Sequence, residues 1–378
     1  MSTYLFILGK DPELSIAELY AVYPDALFSH LQDDFLIMEL QVKIDQRTLN
    51  RLGGVVKIAE IKAQVDGSDL EEAIIQALLS GHSSGKLNYG VSLYGWPESH
   101  LKTLLIGLKK SLKSATISSR FANQEFRNLS VAQHKGLKGP EIVIAKQGDV
   151  FFVGEVVATQ DIDSYSKRDY EKPFRDMKVG MLPPKLAQIL INLTGSQGVI
   201  WDPFCGGGVL LMEGLMMEQD MLGSDIDEET LEGARKNVDW IQNEFNLRSK
   251  ATLFLHDATD VQVAKNFDAI AFEGYLGPPQ TKLKSEREFK HIISQLDQLY
   301  YHFFSALKKA NFKGPVVAAL PFFRAMHDRE ISLNCIESIQ DLGFELDSLL
   351  PHKKVRHLKY ARRDQLVGRE IYRFRLKR

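Results

Sequence analysis

Apolar positions in the first 160 residues fall into short runs of two kinds. Leu5–Leu8 and Phe35–Leu40 are strand-length apolar runs, whereas Glu13–Val22 and Leu70–Leu79 carry apolar residues at helical spacing. Val55–Ala63, Tyr89–Tyr94, Ile142–Ala145 and Phe151–Ala158 add β-rich segments. This mixture predicts an α+β region over residues 1–160. A polar stretch from Thr159 to Asp169 breaks the pattern, and 161–180 reads as a linker.

Over 181–378 the order becomes strict strand–helix alternation. Helical spacing over Lys185–Leu193 precedes a buried strand at Gly198–Trp201, and Val209–Met217 reads as the next helix. Met221–Gly223 begins a second strand, followed by a helix over Glu228–Glu244. Strands at Thr252–Leu255 and Ala269–Phe272, a long helix at Phe289–Leu307, and strands at Val316–Leu320, Phe344–Leu349 and Glu370–Leu376 complete the set. Such an order predicts a mostly parallel sheet with helices on both faces. The last two strands are expected to pair antiparallel at one edge.

Composition narrows the class. A chain of 378 residues, 44% hydrophobic and 25% charged, has the make-up of a globular protein of two domains. The apolar start, Tyr4–Leu8, is far shorter than the ~20 residues needed to span a bilayer, and reads as a strand rather than a leader. Cys205 and Cys335 are the two cysteines, without CxxC spacing, which fits a reducing cytoplasm. Histidines such as His134, His256 and His327 are scattered, so no metal is implied.

Candidate chemistry concentrates in the second half. Trp201 is followed by Asp202, Pro203, Phe204 and Cys205, then by Gly206, Gly207 and Gly208 opening a helix. Glycines there let backbone approach a ligand, and the helix N-terminus offers unpaired N–H groups. Asp202 sits where a carboxylate can meet the ammonium of a methionine moiety. Asp225, with Asp227 as second choice, ends the next strand, where an acid can accept from ribose hydroxyls. Asp257, beside Ala258, follows the third strand and can accept from an adenine amino group. Each piece alone is ordinary turn chemistry. Three acids at three successive strand ends point together to an adenosyl cofactor, S-adenosylmethionine. The loop lacks Gly-x-Gly-x-x-Gly, and its carboxylate and proline sit poorly against a pyrophosphate, which points away from NAD.

The segment Asp202–Gly206 resembles the cofactor loop of the THUMP-containing tRNA guanosine-N2 methyltransferases and related DNA/RNA methylases. The resemblance extends to Arg168–Asp176, to Val179–Asn192 and to Asp364–Glu370, and covers roughly residues 160–378. In the first half Ser119–Ala122 and Val153–Glu155 carry it. It implies a ferredoxin-like/THUMP-like region that docks RNA, a Rossmann-type seven-stranded methyltransferase sheet, and Met181, Leu182 and Pro183 beside the cofactor. On the residues alone, Pro183 is equally a proline at a helix start.

The fourth strand ends in Glu273, Gly274 and Tyr275, with Pro278 and Pro279 after the aromatic. Amino-methylating enzymes of the resembling family place Asp or Asn, two prolines and then an aromatic here. An exocyclic amine is a poor nucleophile because its lone pair is delocalised into the ring. Acceptors for its two hydrogens raise its nucleophilicity and aim it, and a stacked ring fixes the base plane. Glu273 and the Gly274 carbonyl are the candidate acceptors and Tyr275 the stacking ring; otherwise Glu273 caps a loop and Tyr275 packs.

Charge adds the partner. The chain carries a formal net charge of −2, yet Lys102, Lys109, Lys110, Lys113, Arg120, Arg127, Lys135 and Lys138 share their window with Glu125 as its one acid. A second basic run extends from His352 to Arg378. Such clusters neutralise phosphate and favour nucleic acid. The expected function is methylation of an exocyclic amine, N2 of a guanosine in tRNA. A DNA amino-methyltransferase, and a nucleic-acid-binding protein that retains the fold without turnover, stay open.

Overall fold

The computed structural model describes residues 1–32, 34–175, 181–260, 266–350 and 353–377. Residues 176–180, part of the expected linker and of the lead-in to the cofactor domain, lie outside them, as do His352 and Arg378 of the second basic run. The chain forms two compact units, one of residues 1–16 and 23–163, the other of 17–22 and 164–378. Among the described residues no helix is long and apolar enough to cross a membrane.

Up to residue 159 the chain runs β1 (Ser2–Leu8), α1 (Pro12–Val22), β2 (Leu27–Leu31), β3 (Phe35–Leu40), α2 (Gln46–Asn50), β4 (Val55–Asp66), α3 (Leu70–Leu79), β5 (Leu87–Tyr94), α4 (Leu101–Ser114), β6 (Ser119–Phe121), α5 (Val131–Lys135), β7 (Glu141–Gln147) and β8 (Val150–Thr159), all in the first unit but for the last six residues of α1. Among the described residues the strands form one sheet in the order β2-β3-β1-β4-β8-β7-β5-β6. The pairs β5–β7 and β5–β6 are parallel, and the others antiparallel. The helix α4 lies in the window read above only for its charge. Leu101, Leu105, Leu108 and Leu112 recur on one face and pack with Ile74 and Leu78 of α3 on Tyr89, Val91 and Ile144. Lysines 102, 109, 110 and 113 are left on the exposed face.

The loop after β6 is pinned to this sheet by buried polar groups. Asn123 accepts from the Val91 N–H (3.0 Å) and donates to its carbonyl (2.7 Å), and Asn128 does the same for Leu93 (2.7 and 2.8 Å). Lys57 donates to the Leu129 carbonyl at 2.6 Å and to Glu141 Oε1 at 2.5 Å. Ser92 Oγ donates to the same carboxylate at 2.6 Å, and His134 Nδ1 lies 2.7 Å from its other oxygen. Burying Lys57 and Glu141 is tolerable because each is paired and further hydrogen-bonded.

The second unit begins with α6 (Ile162–Tyr170), inside the segment read as a linker. Its polarity misled because Arg168 is buried by pairing: Nε and Nη2 donate to the two oxygens of Glu213 at 2.7 and 3.1 Å. Then follow α7 (Pro184–Thr194), β9 (Ile200–Asp202), α8 (Val209–Met216), β10 (Met221–Asp225), α9 (Glu228–Phe245), β11 (Ala251–Leu255), β12 (Ala269–Glu273), α10 (Glu286–Lys309), β13 (Val316–Ala325), β14 (Arg329–Ile331), α11 (Cys335–Asp341), β15 (Phe344–Leu346), β16 (Leu358–Tyr360) and β17 (Val367–Leu376). The sheet order is β11-β10-β9-β12-β13-β17-β15, with β14 beside β13 and β16 beside β17. Strands β11, β10, β9, β12 and β13 are parallel, and β17 enters antiparallel between β13 and β15. This is the Rossmann-type methyltransferase sheet with the expected antiparallel edge. The edge is not a simple hairpin, because β16 interrupts the return from β15 to β17. An aromatic core of Trp201, Phe272, Phe303, Phe304 and Phe374 holds α10 against the sheet.

Candidate active site

The reversal of strand order around β9 and β12 opens a crevice at the carboxyl edge of the sheet, the usual ligand position in open α/β folds. A cavity of about 470 Å³ lies there. It collects Asp202, Phe204, Cys205 and Gly206 from the loop after β9, Asp225 from β10, Asp257 and Ala258 after β11, and Glu273, Gly274 and Tyr275 at the end of β12. Met181 and Leu182 line it as well.

Local forces set each of these groups. Asp202 is buried, and its Oδ1 accepts from the Phe204 N–H at 3.1 Å. Among the described residues it forms no ion pair. Burial pushes its carboxyl well above the ordinary range; the Phe204 amide opposes that, and the charges of Asp225 and Glu273 add to it. Gly206 and Gly208 take φ of +50° and +77°, the left-handed region that glycine enters without cost. Asp225 spans the turn, accepting from Gly206 N–H at 2.9 Å and from Asp227 N–H at 3.1 Å. Asp257 closes an Asx turn on Thr259, whose N–H holds its carboxyl below the ordinary range. Burial drives the Cys205 thiol well up, so it is no thiolate nucleophile.

Three residues expected beside the cofactor do not line the cavity. Asp227 is the N-cap of α9, accepting from Thr230 N–H at 2.7 Å. A carboxylate two residues beyond a strand end serves the helix that starts there. Gly208 starts α8, where an added Cβ would lie 3.2 Å from the Ala234 Cβ, so it provides close packing of helices. Pro183 is the N-cap of α7, with Pro184 as the proline in its first turn.

Other lining residues fall in the resembling stretch Arg168–Asp176 but were not singled out as site residues. Lys172 is buried at the cavity, and burial pulls its ammonium pKa down. Its Nζ donates to the Asp169 carbonyl at 3.2 Å. Phe174 is fixed by Asn237 of α9, which accepts from its N–H at 2.8 Å and donates to its carbonyl at 3.0 Å and to that of Gly207 at 2.7 Å. The acceptor wall also holds an unexpected partner: Arg369 of β17 donates from Nε to Glu273 Oε1 at 2.7 Å. Burial raises the Glu273 carboxyl, opposed by that guanidinium. Tyr300 of α10 donates from Oη to the Tyr275 carbonyl at 2.7 Å, while the Tyr275 ring is 48% exposed, free to meet a planar group.

The donor set fits an adenosyl sulfonium compound. Among the described residues the buried Asp202 carboxyl at the cavity has no counter-ion, glycine backbone lies open beside it, and further carboxylates stand along its length.

Known proteins resemble parts of this chain in sequence, and the chain in fold. Residues 174–274 match the family described as RMKL-like, methyltransferase domain, a stretch running from Phe174 to Gly274. A tRNA (guanine(10)-N2)-dimethyltransferase of Methanothermobacter thermautotrophicus is 32% identical over 130 residues, covering 33% of this chain and 37% of that protein. One of the same description from Pyrococcus abyssi is 34% identical over 103 residues, 26% of this chain and 30% of its own length. The chain thus spans about a third of the length of these curated relatives. The crystal structure of TrmN from Thermus thermophilus superposes with a TM-score of 0.54 at 14% identity, covering 99% of this chain and 100% of that one, a likeness of fold. The second unit carries a methyltransferase domain, in keeping with the resemblance read from its cofactor loop.

Proposed function

We propose that this protein is an S-adenosylmethionine-dependent methyltransferase acting on an exocyclic base amine in RNA, N2 of a guanosine in tRNA. The observation that carries the reading is the buried Asp202 carboxylate, without a cation partner among the described residues, on the same cavity as Glu273, Gly274 and Tyr275. The donor's sulfonium supplies an electrophilic methyl group, so the protein supplies alignment, desolvation and acceptors more than strong base catalysis. Asp202 receives the donor's ammonium. Asp225 and Asp257 receive ribose and adenine while their hydrogen bonds to Gly206, Asp227 and Thr259 hold the loops. Glu273 and the Gly274 carbonyl accept the hydrogens of the target amine, and the half-exposed Tyr275 ring stacks on the base, which is flipped out where it starts inside a helix. The nitrogen gains the methyl group and gives up one proton, which passes through Glu273 to water.

The RNA assignment rests on the relatives named for guanine-N2 dimethylation of tRNA and on the first unit. There the exposed Lys109 of α4, over the Phe121 ring at 5.8 Å, and the exposed Arg120, Arg127 and Lys138 stand on or next to a segment whose backbone is held by Asn123, Asn128 and Lys57. A fixed array of cations loses little entropy on meeting phosphate. We assign this THUMP-like unit to RNA docking in the cytoplasm. Incubation with labelled cofactor and separate tRNA, rRNA and DNA pools, followed by nucleoside mass spectrometry, tests the proposal. Methylated guanosine from tRNA is expected. Label in DNA alone would transfer the reading to a DNA amino-methyltransferase, and cofactor binding without label in any pool to a protein that retains the fold without turnover.

A further inference from the structure

The acceptor loop of this chain departs from the short acid and rigid prolines of the family it resembles: Glu273 is longer, and Gly274 follows it. A glutamate ending a strand before glycine has three side-chain torsions and a permissive backbone behind it, a poor device for aiming one oxygen. The sheet supplies the missing constraint from elsewhere. Arg369 sits on β17, two strands from β12, in register with Pro321 of β13. Its side chain must cross β13, part of two inter-strand spacings or roughly 10 Å, to reach Glu273. Small residues make room, since β13 presents Ala319 opposite Glu273. The Arg369 side chain is 2% exposed and that of Glu273 13%, and Glu273 lines the cavity. The guanidinium takes Oε1; among the described residues no protein group takes Oε2.

Resting on the function proposed above, we infer that Arg369 is a positioning residue for methyl transfer: it anchors Glu273 by Oε1, so that Oε2 is the oxygen presented to the target amine. A buried arginine would be an expensive way only to stabilise a sheet, because well-packed apolar residues often serve as well or better there. Here the pair has a use that apolar residues cannot supply. Its Nε–H anchors Oε1 while its Nη1 reaches Gln365 Oε1 at 3.5 Å, and its charge opposes protonation of a buried acid that also faces Asp202 of β9 and Tyr300 of α10. The Arg–Glu pair replaces the stiffness of the missing prolines.

The test compares the full-length protein with Arg369→Gln, Arg369→Lys and Glu273→Gln. In Arg369→Gln, kcat is expected to fall by about 100-fold, the cost of a misplaced reacting group, while calorimetry gives an unchanged affinity for S-adenosylhomocysteine. The acid limb of the kcat profile moves to higher pH, because Glu273 then titrates without the cation. Infrared titration, with the Glu273 band identified by its loss in Glu273→Gln, reads the same upward shift without turnover. Arg369→Lys keeps the charge and loses the Nε–H anchor; it restores most of the pH profile and only part of kcat, and it serves where Arg369→Gln fails to fold. A Glu273 titration unmoved in both arginine variants overturns the inference, as does an unchanged kcat in an active wild type. A wild type that binds cofactor and methylates nothing overturns the function instead, and the infrared arm still decides whether Arg369 governs Glu273.

Discussion

Gly274 is the position where one added methyl group tests the acceptor wall most sharply. A Cβ there would stand 2.2 Å from Tyr300 Oη, 2.7 Å from Cζ and 2.8 Å from Cε1, all closer than real Cβ contacts allow. Tyr300 cannot retreat freely. It is fully buried, packs edge-on against Phe204 at a centroid distance of 6.2 Å, and its hydroxyl is committed to the Tyr275 carbonyl. Either the ring or the loop must yield by about 1 Å to restore ordinary van der Waals separation. Overpacking of this kind costs roughly 1–3 kcal/mol, and loss of the Tyr300 hydrogen bond costs about 1 more. Reduced freedom of the unfolded chain returns about 0.4–1 kcal/mol. The net, about 2 kcal/mol, corresponds to a fall in melting temperature of roughly 4–8 °C for a unit of this size.

Activity should suffer more than stability in Gly274→Ala. The displaced loop carries both Glu273 and Tyr275, and a 1 Å misplacement of reacting groups costs about 100-fold. Binding of S-adenosylhomocysteine should stay within a few-fold, because Asp202, Asp225 and Asp257 lie on other strands. Thermal melts, calorimetry and single-turnover methyl transfer separate the three effects. Tyr300→Phe removes the nearest clashing atom but leaves Cζ at 2.7 Å, so the double variant should recover only part of the loss. A Gly274→Ala protein that melts and turns over like wild type would refute both the packing argument and the placement of the acceptor at this loop.

Three further outcomes follow from other residues. Because Asp202 holds its proton to higher pH when folded than when unfolded, stability of the free protein should fall as pH rises from the ordinary carboxylate range through the raised value; binding of the sulfonium compound should tighten and its thermal shift grow over that window, and Asp202→Asn should flatten both in calorimetry and melts. Gly233→Ala places a Cβ 2.4 Å from the Phe174 ring, so it should expel Phe174 and weaken cofactor binding by about 10-fold, the equivalent of roughly 1–2 kcal/mol of lost packing; equal affinities would show that Phe174 is no part of the site. Glu141→Gln leaves Lys57 buried without its counter-charge and should destabilise the first unit by about 3–5 kcal/mol in denaturant melts. In the wild type, burial raises Glu141 but His134, Lys57 and Ser92 outweigh it and hold the carboxyl below its ordinary value. That contribution is therefore present above the ordinary glutamate range and lost as pH falls through the lowered value; an acid limb no different in Glu141→Gln would count against it.

What could be read along the chain, and what could not, divides by sequence distance. The Asp202 turn, Asp225 and Asp257 each announce themselves within one strand end and the loop after it, and the sheet brings all three to one cavity. The strand–helix alternation that brings them together was equally local. A residue near the ligand edge can have two possible employers. Asp227 and Gly208 stand as close in sequence to the cofactor loops as true lining residues do, but helix starts claim them, because unsatisfied N–H groups and tight helix packing make their demands at those same positions. Pairing across long loops left no local mark at all. Arg369 is 96 residues from Glu273 and appeared as one charge in a basic run and one position of the resembling stretch Asp364–Glu370, neither of which names its partner; its burial depends on the register of β17 against β13. Arg168 was hidden in the same way, a cation in a polar stretch whose partner Glu213 lies in a helix 45 residues on. In both cases a charged residue in a run that reads as solvated surface is among the most buried groups of its unit. Charge runs in this chain therefore mix two populations: exposed cations such as Lys109 and Lys110, available to phosphate, and interior cations that hold carboxylates in place. Only a structure that supplies the acid partner tells them apart.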